Sequence, residues 1–303
     1  MMLKNLKEVT DEEFVAPGRA GCPGCGAVIG ARLVSKVAGS RAIGVTPTGC
    51  MCVNYGYAGA PLFPYIHSLF PNAGAVLSGI DAGLRALGKR DGVNLFAFAG
   101  DGGTVDIGLQ SLSGAVERGH RFLYVCYDNE GYMNTGVQRS GATPPGARTA
   151  TTPAGEGRPF GHRKDMVRML AGQGIPFAAT ASIAFPLDLL RKVERALAVD
   201  GPSYIHLHSP CGPGWGYPDR LVVQVARLGV QSRVFPLYEV EDGRHYRLTQ
   251  RAKQVPLEEY LRIQRRFTGL LKPENRDLLE TLARDVEASW KYLAELCHLA
   301  DNV

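Results

Sequence analysis

Two apolar runs, each closed by a turn rich in glycine and acid, constrain this chain more than any other feature. Leu95-Phe96-Ala97-Phe98-Ala99 runs into Gly100-Asp101-Gly102-Gly103, and Phe122-Leu123-Tyr124-Val125-Cys126-Tyr127 runs into Asp128-Asn129-Glu130-Gly131. The amphipathic stretch Val105 to Arg118 lies between them, so the pattern reads as strand, crossover helix and parallel strand. In open parallel sheets ligands bind beyond the carboxyl ends of the strands, which sends Asp101 and Asn129 into one crevice. Glycines around Asp101 let backbone N–H groups approach a phosphate closely. A carboxylate, a side-chain amide and a backbone carbonyl are hard oxygen ligands for Mg²⁺. The pair of motifs therefore predicts a diphosphate carried on magnesium, whereas Gly-Asp-Gly by itself reads as an ordinary turn.

The 303 residues extend this unit in both directions. Helices are expected at 27–38, 72–88, 105–118, 165–173 and 187–198, and strands at 42–46, 93–99, 121–127, 176–181 and 203–208. Strands alternating with helices predict an α/β fold with a doubly wound, mainly parallel sheet. Residues 143–160, rich in Pro, Gly and Thr, read as a long functional loop over the site. After Tyr217 the character changes: 218–228 reads as helix, 231–240 as strand, 239–250 as a polar hairpin, and 257–271 and 273–301 as amphipathic helices. The expected organisation is a cofactor-binding domain over 1–217, followed over 218–303 by the remaining sheet elements and a C-terminal helical extension suited to docking on a core or on another subunit.

Seven cysteines, Cys22, Cys25, Cys50, Cys52, Cys126, Cys211 and Cys297, occur without a signal peptide, which favours a reducing cytoplasm over a secreted disulfide framework. No apolar run is long enough to span a membrane. Cys22-Pro-Gly-Cys25-Gly is a C-x₂-C in a tight turn, a spacing that aims two thiolates at one metal centre; a redox dithiol or half of a zinc knuckle are its alternatives. Cys50 follows the apolar segment 42–45, and Cys211 follows the strand-like Tyr204-Ile-His-Leu-His208 within Ser209-Pro-Cys-Gly-Pro-Gly-Trp-Gly216. If these strands share one sheet, their ends converge on the diphosphate edge. Cys52 competes with Cys50 for the same role, while Cys126 and Cys297 read as packing thiols.

The Gly-Asp-Gly…Asp-Asn pair resembles the thiamine-diphosphate-binding motif. Together with Cys22-Pro-Gly-Cys-Gly, Thr48-Gly-Cys50, the run Tyr127-Asp-Asn-Glu-Gly-Tyr-Met-Asn-Thr-Gly-Val-Gln-Arg-Ser-Gly141 and Cys211 with Gly214-Trp-Gly-Tyr217, it makes residues 20–220 similar to the β subunits of 2-oxoacid:ferredoxin oxidoreductases, closest in appearance to pyruvate:ferredoxin oxidoreductase, or pyruvate synthase. The resemblance implies Asp101, Asn129 and the Gly131 carbonyl as Mg²⁺ ligands, and Gly100, Gly102, Gly103 and Thr104 as the diphosphate cradle at a helix N-terminus. It implies Cys22, Cys25, Cys50 and Cys211 as ligands of a [4Fe-4S] cluster. Asn134 matches the polar residue that contacts substrate or cofactor, its alternative being a loop residue that satisfies backbone groups, and Thr135 and Gln138 read either as secondary contacts or as loop scaffolding.

The implied reaction is oxidative decarboxylation of a 2-oxoacid through a thiamine-bound enamine, with single electrons passing to the cluster and on to ferredoxin, and coenzyme A accepting the acyl group. The family takes its pyrimidine-activating Glu from an α subunit, and no acid of this chain is a convincing candidate. The repeated C-x₂-C-x₂-C of ferredoxins is also missing, so further clusters are expected on a ferredoxin-like subunit. Pyruvate is the first choice of substrate, with oxalate and 2-oxoisovalerate as alternatives. Two other readings keep only part of the pattern: a non-redox thiamine-dependent decarboxylase needs no cysteines, and a zinc-stabilised binding module leaves the Asp101 and Asn129 motifs without a purpose. A net charge of +5 does not suggest nucleic acid. Arg247, Arg251, Lys253, Arg262, Arg265 and Arg266 form a local basic run, read either as a solvated helix face or as a surface that attracts an acidic ferredoxin.

Overall fold

The two apolar runs form β3 (Asn94–Gly100) and β4 (Phe122–Asp128), buried along almost their whole length, as expected of strands covered on both faces. The computed structural model describes residues 3–18, 20–56, 59–155 and 163–298. With β1 (Ala42–Pro47), β2 (Tyr65–Ser68), β5 (Phe177–Ser182), β6 (Pro202–His208), β7 (Tyr238–Glu241) and β8 (His245–Leu248) they make an eight-stranded sheet of order β2-β1-β3-β4-β6-β5-β7-β8. The first six strands pair in parallel; β7 and β8 add an antiparallel hairpin at one edge.

Successive residues of a strand serve opposite faces, and each face has its own core. Phe96, Phe98, Leu123, Val125, Ile205 and Leu207 pack against α1 (Gly26–Ala38), α6 (Pro186–Ala198) and α8 (Val222–Gln231). Leu95, Ala97, Tyr124 and Tyr204 pack against α3 (Ala73–Ala86), α4 (Leu109–Glu117) and α5 (Met166–Ala171). Helices on both faces make the sheet doubly wound. Two helices of the second face meet closely at Gly74, where a Cβ would stand 2.5 Å from the Ser111 carbonyl oxygen and force α3 off α4.

The order places β1, β3, β4 and β6 side by side, so their carboxyl ends share one edge. The chain leaves β1 toward β2 in one direction and enters β3 in the other, and β6 inserts between β4 and β5. Both reversals open a crevice at that edge. Beyond β1 lies α2 (Cys50–Gly56), and beyond β6 lies the one-turn helix α7 (Gly212–Trp215).

Several expectations are corrected. Neither α2 nor β2 was anticipated; both are too short for a clear period, and Ile66 and His67 of β2 are exposed. The helix expected from 105 begins earlier, as a π-helical turn over Gly102–Asp106. The strand expected over 231–240 shrinks to Tyr238–Glu241, because Arg233 takes φ +64°, Phe235 N–H bonds the Gly229 carbonyl at 2.9 Å and Pro236 has no N–H. The region 257–271 breaks into α9 (Leu257–Arg262) and a 3₁₀ turn at Arg265–Phe267. The final helix, α10 (Arg276–Leu296), turns Trp290 and Leu293 into this chain's own core, with Arg233 stacked on the Trp290 ring. The hairpin and α10 thus continue the same sheet and core.

Candidate active site

At the end of β3, Asp101 is fully buried, and burial followed by the nearby Asp128 carboxylate pushes its carboxyl well above the usual range. One oxygen of Asp101 accepts from Ser140 Oγ; the other accepts from the Asn129 N–H at 3.4 Å. The Asn129 side-chain amide brings a single atom to 2.9 Å from both Asp101 Oδ1 and the Gly131 carbonyl oxygen. As nitrogen, that atom donates to both. As oxygen, its two 2.9 Å separations match those between neighbouring ligands of an octahedral cation with bonds of about 2.0–2.1 Å, which stand about 3 Å apart.

Glycine is needed around this cage because neighbours fill the space a Cβ would take. At Gly102 it would meet the Tyr132 ring at 2.5 Å, at Gly103 the Phe70 ring at 3.1 Å, and at Gly100 the Tyr127 ring at 3.2 Å. The N–H groups of the first helical turn, from Gly102 onward, have no partner within their own helix. The Thr104 hydroxyl is turned away from that opening, donating to the Gly100 carbonyl at 2.7 Å and lying 3.3 Å from Tyr124 Oη.

Beneath the cage lies a buried ionic network that the sequence did not reveal. Asp128 accepts from Arg163 Nη2 at 2.8 Å, shares a 2.9 Å hydrogen bond with His206 Nε2 and accepts the Glu130 N–H at 2.9 Å. Burial works to raise the Asp128 carboxyl, but His206 and Arg163 hold it down at about 2. Glu130, at φ +62°, pairs with Arg163 at 2.9 Å and Arg266 at 2.5 Å. Asp128 and Glu130 are thus ion-paired with Arg163, Arg266 and His206, whereas the buried Asp101 carboxyl is held by the Ser140 hydroxyl and the Asn129 N–H.

The thiols gather beside the cage from three segments. Cys25 caps α1, Cys50 opens α2 and Cys211 caps α7, where the Gly214 N–H donates to Cys211 Sγ at 3.4 Å. The loop carrying Cys22 and Cys25 is pressed onto the Cys211 loop: a Cβ at Gly26 would stand 2.8 Å from the Pro210 carbonyl oxygen, and one at Gly24 2.5 Å from that of Asp219. Burial, then the neighbouring Cys211, Cys25 and Cys22, push the Cys50 thiol up to about 12. Burial, then Cys25 and Cys22, push Cys211 up to about 11. Among the described residues no three His, Cys, Asp or Glu side chains close on a single metal ion. Cys52 Sγ is engaged on its own turn, donating to the Gly49 carbonyl at 2.9 Å. Cys126 is buried within β4 and Cys297 ends α10.

Asn134 is exposed in the turn bridged by Tyr132 and Gln138, whereas Thr135 and Gln138 bond to one another. Val137 in the same turn takes φ +66°, a strained conformation for a β-branched residue. The long loop is anchored at its start by Thr143 Oγ1, which donates to the Glu130 carbonyl at 2.6 Å; its expected end, 156–160, lies outside the described residues. One member of the basic run is internal: Arg266 is buried against Glu130, while Arg247, which pairs with the buried Glu239, is exposed, as are Arg251, Lys253, Arg262 and Arg265. Glu130 and Glu239, the buried glutamates among the described residues, are both ion-paired.

Residues 47–207 match the thiamine pyrophosphate enzyme family's C-terminal TPP-binding domain. Over 279 residues the chain is 50% identical to the pyruvate synthase subunit PorB of Methanothermobacter thermautotrophicus, covering 90% of this chain and 96% of that protein. Over 310 residues it is 42% identical to the ketoisovalerate oxidoreductase subunit VorB of Pyrococcus horikoshii, covering 98% and 97%. The solved structure of 2-oxoglutarate:ferredoxin oxidoreductase from Magnetococcus marinus shares the fold, with a TM-score of 0.58 and 22% identity over 70% of this chain and 72% of that one. The chain thus belongs to the thiamine-diphosphate-binding subunits of the 2-oxoacid:ferredoxin oxidoreductase family.

Proposed function

We propose that the chain holds thiamine diphosphate through Mg²⁺ beside a [4Fe-4S] cluster, and that with its partner subunits it oxidises pyruvate to an acyl-CoA product, CO₂ and reduced ferredoxin. The observation that carries this reading is the juxtaposition of a buried oxygen cage, Asp101 with Asn129 and the Gly131 carbonyl, with four thiols, all at the ends of adjacent strands β1, β3, β4 and β6 and on α1's docked N-terminal loop. When bound, thiamine supplies the electron sink for decarboxylation.

This chain's residues do the holding. Asp101, Asn129 and the Gly131 carbonyl would bind Mg²⁺, and the first-turn N–H groups of Gly102, Gly103 and Thr104, at the end of Gly100, would receive the diphosphate. Cys22, Cys25, Cys50 and Cys211 would bind the cluster; thiols spread too widely for one ion suit a four-iron cube, whose ligands stand farther apart than those of zinc. The raised pKa values of Cys25, Cys50 and Cys211 make their thiolates dependent on bound iron for their charge. Asn134, exposed and uncommitted, would reach substrate or cofactor from its turn.

Both buried glutamates are engaged in ion pairs, which supports an activating Glu from an α subunit, and the absence of further ferredoxin-type motifs in this chain supports a ferredoxin-like partner for onward transfer to ferredoxin. Seven free thiols support a cytoplasmic setting. No described helix is long and apolar enough to cross a membrane. Pyruvate is preferred because the relative at 50% identity is a pyruvate synthase subunit; the 42% identity to a ketoisovalerate oxidoreductase subunit favours a branched 2-oxoacid as the second reading. The test is CoA-dependent ferredoxin reduction by the assembled complex with pyruvate, 2-oxoisovalerate, 2-oxoglutarate and oxalate in parallel. A kcat/KM highest for pyruvate supports the proposal, and one highest for another acid replaces the substrate.

A further inference from the structure

One residue links the two halves of the site. Trp215 is fully buried on α7, four residues beyond Cys211, and its N–H bonds the Cys211 carbonyl at 2.9 Å. Its indole Nε1–H donates to the backbone carbonyl of Asn129 at 2.7 Å, inside the loop that carries the oxygen cage. Arg266 covers the indole face at 3.7 Å and pairs with Glu130, the next residue of the same loop, at 2.5 Å. Two further contacts close the joint: the Ser209 N–H donates to the Asp128 carbonyl at 2.8 Å, and Met133 packs so tightly on Gly214 that a Cβ there would stand 2.3 Å from Met133 Sδ. The loop with Cys211 and the loop with Asn129 and Gly131 cannot move independently.

We propose that Trp215, covered by the Glu130-paired Arg266, is a positioning residue that couples the thiol site to the oxygen cage, so that filling the cage with Mg²⁺ and thiamine diphosphate changes the electronic state of the cluster, and the cluster in turn tightens the cage. The inference rests on the cofactor assignment proposed above. Its physical basis is that Asn129 must keep its side chain on Asp101 and Gly131 while its own carbonyl is held by the indole. A shift of α7 with the Cys211 sulfur therefore pulls on the cation's ligand loop. Coupling of this kind is reciprocal: whatever factor the cluster adds to Mg²⁺ affinity, Mg²⁺ returns to the cluster. Hydrogen bonds to ligand sulfurs tune such clusters, and the Gly214 N–H to Cys211 bond lies in the same turn as the indole.

Trp215→Phe keeps an aromatic ring under Arg266 and removes the N–H together with part of the ring volume. The experiment uses the complete anaerobic complex, stripped of thiamine diphosphate and Mg²⁺ by chelation, with its clusters retained. Dithionite-reduced EPR spectra are recorded before and after Mg²⁺ and thiamine diphosphate are restored, and Mg²⁺ affinity is measured by titration at saturating thiamine diphosphate. In the native complex the signal that depends on Cys211 is expected to shift its g-values on restoration. In Trp215→Phe that shift is lost and Mg²⁺ binds roughly tenfold more weakly, the worth of one buried hydrogen bond. An unchanged native signal on restoration overturns the coupling without any variant. A Trp215→Phe complex with the native shift and affinity overturns the role of the indole. Absence of any Cys211-dependent iron signal in the native complex fails the cofactor assignment instead, and the two failures are separated by iron and sulfide content.

Discussion

The oxygen cage and the thiol group occupy neighbouring strand ends, yet they are built in opposite ways. The cage is finished within the chain: Asp101 and Asn129 are buried, and Ser140, Asp128, His206, Arg163 and Arg266 hold the surrounding groups through named bonds. The thiols hang on the first turns of α1, α2 and α7 and on one exposed position, Cys22, with the Gly214 amide bond to Cys211 as one of few polar supports. A hard cation needs oxygens set at fixed separations, which only a rigid frame supplies. A cluster brings its own rigidity and needs thiols near enough to close around it. The difference predicts that changes in the cage act on thiamine binding alone, and changes in the thiols act on iron alone, except through Trp215.

The largest effect is expected from Asp101→Asn. Removing the buried charge should weaken Mg²⁺-dependent thiamine diphosphate binding by at least roughly a hundredfold and abolish turnover, while iron content stays native; calorimetric titration of the assembled complex, with iron analysis alongside, checks both halves. Cys211→Ser is the mirror image, with the iron signal lost and thiamine diphosphate bound within about tenfold of the native affinity, the allowance left for coupling. A variant at either position that lost both cofactors with native thermal stability would break the comparison.

Arg266→Met probes the frame instead of the ligands. It strips Glu130 of one partner in a buried setting, and denaturant unfolding should register a loss of about 3–5 kcal/mol. Arg251→Ala, on the exposed part of the same basic run, should stay within about 0.5 kcal/mol of native. Equal losses at both would return Arg266 to the solvated face on which the sequence had placed it. Cys52→Ser should leave iron content unchanged, since its sulfur is bonded to Gly49.

The smallest effect concerns acid. Burial drives His208 down to about 3 from an ordinary 6.5, so the unfolded chain takes up a proton before the folded one does. Stability is therefore lost as pH falls from 6.5 toward 3, and His208→Phe, set against the Phe235 ring that stacks on it at 4.6 Å, should flatten that limb by up to one proton. Unfolding free energies at pH 7, 5.5 and 4.5 measure the slope.

How much of this was legible follows from how local each signal is. The strands and the cage declared themselves because an apolar run followed by glycine and acid is a contiguous pattern, and strand order then aligns the ends. Cys50 and Cys52 competed for one role in the sequence because they are told apart by α2, seven residues without a readable period. The network under the cage was invisible for a different reason: Arg266 meets Glu130 across 136 residues, and His206 meets Asp128 across 78. Its trace in the sequence was two histidines inside the apolar strand Tyr204–His208, where a polar side chain needs a buried partner.

The most direct test of paired but separate cofactor sites is iron, sulfide, zinc and thiamine analysis with EPR, on the anaerobic complex and its Cys211→Ser variant. The account predicts a difference of about four irons per copy of this chain, loss of one reduced-cluster signal and retention of thiamine diphosphate. Equal iron in the two preparations, or zinc where the iron should be in protein never exposed to oxygen, would contradict it.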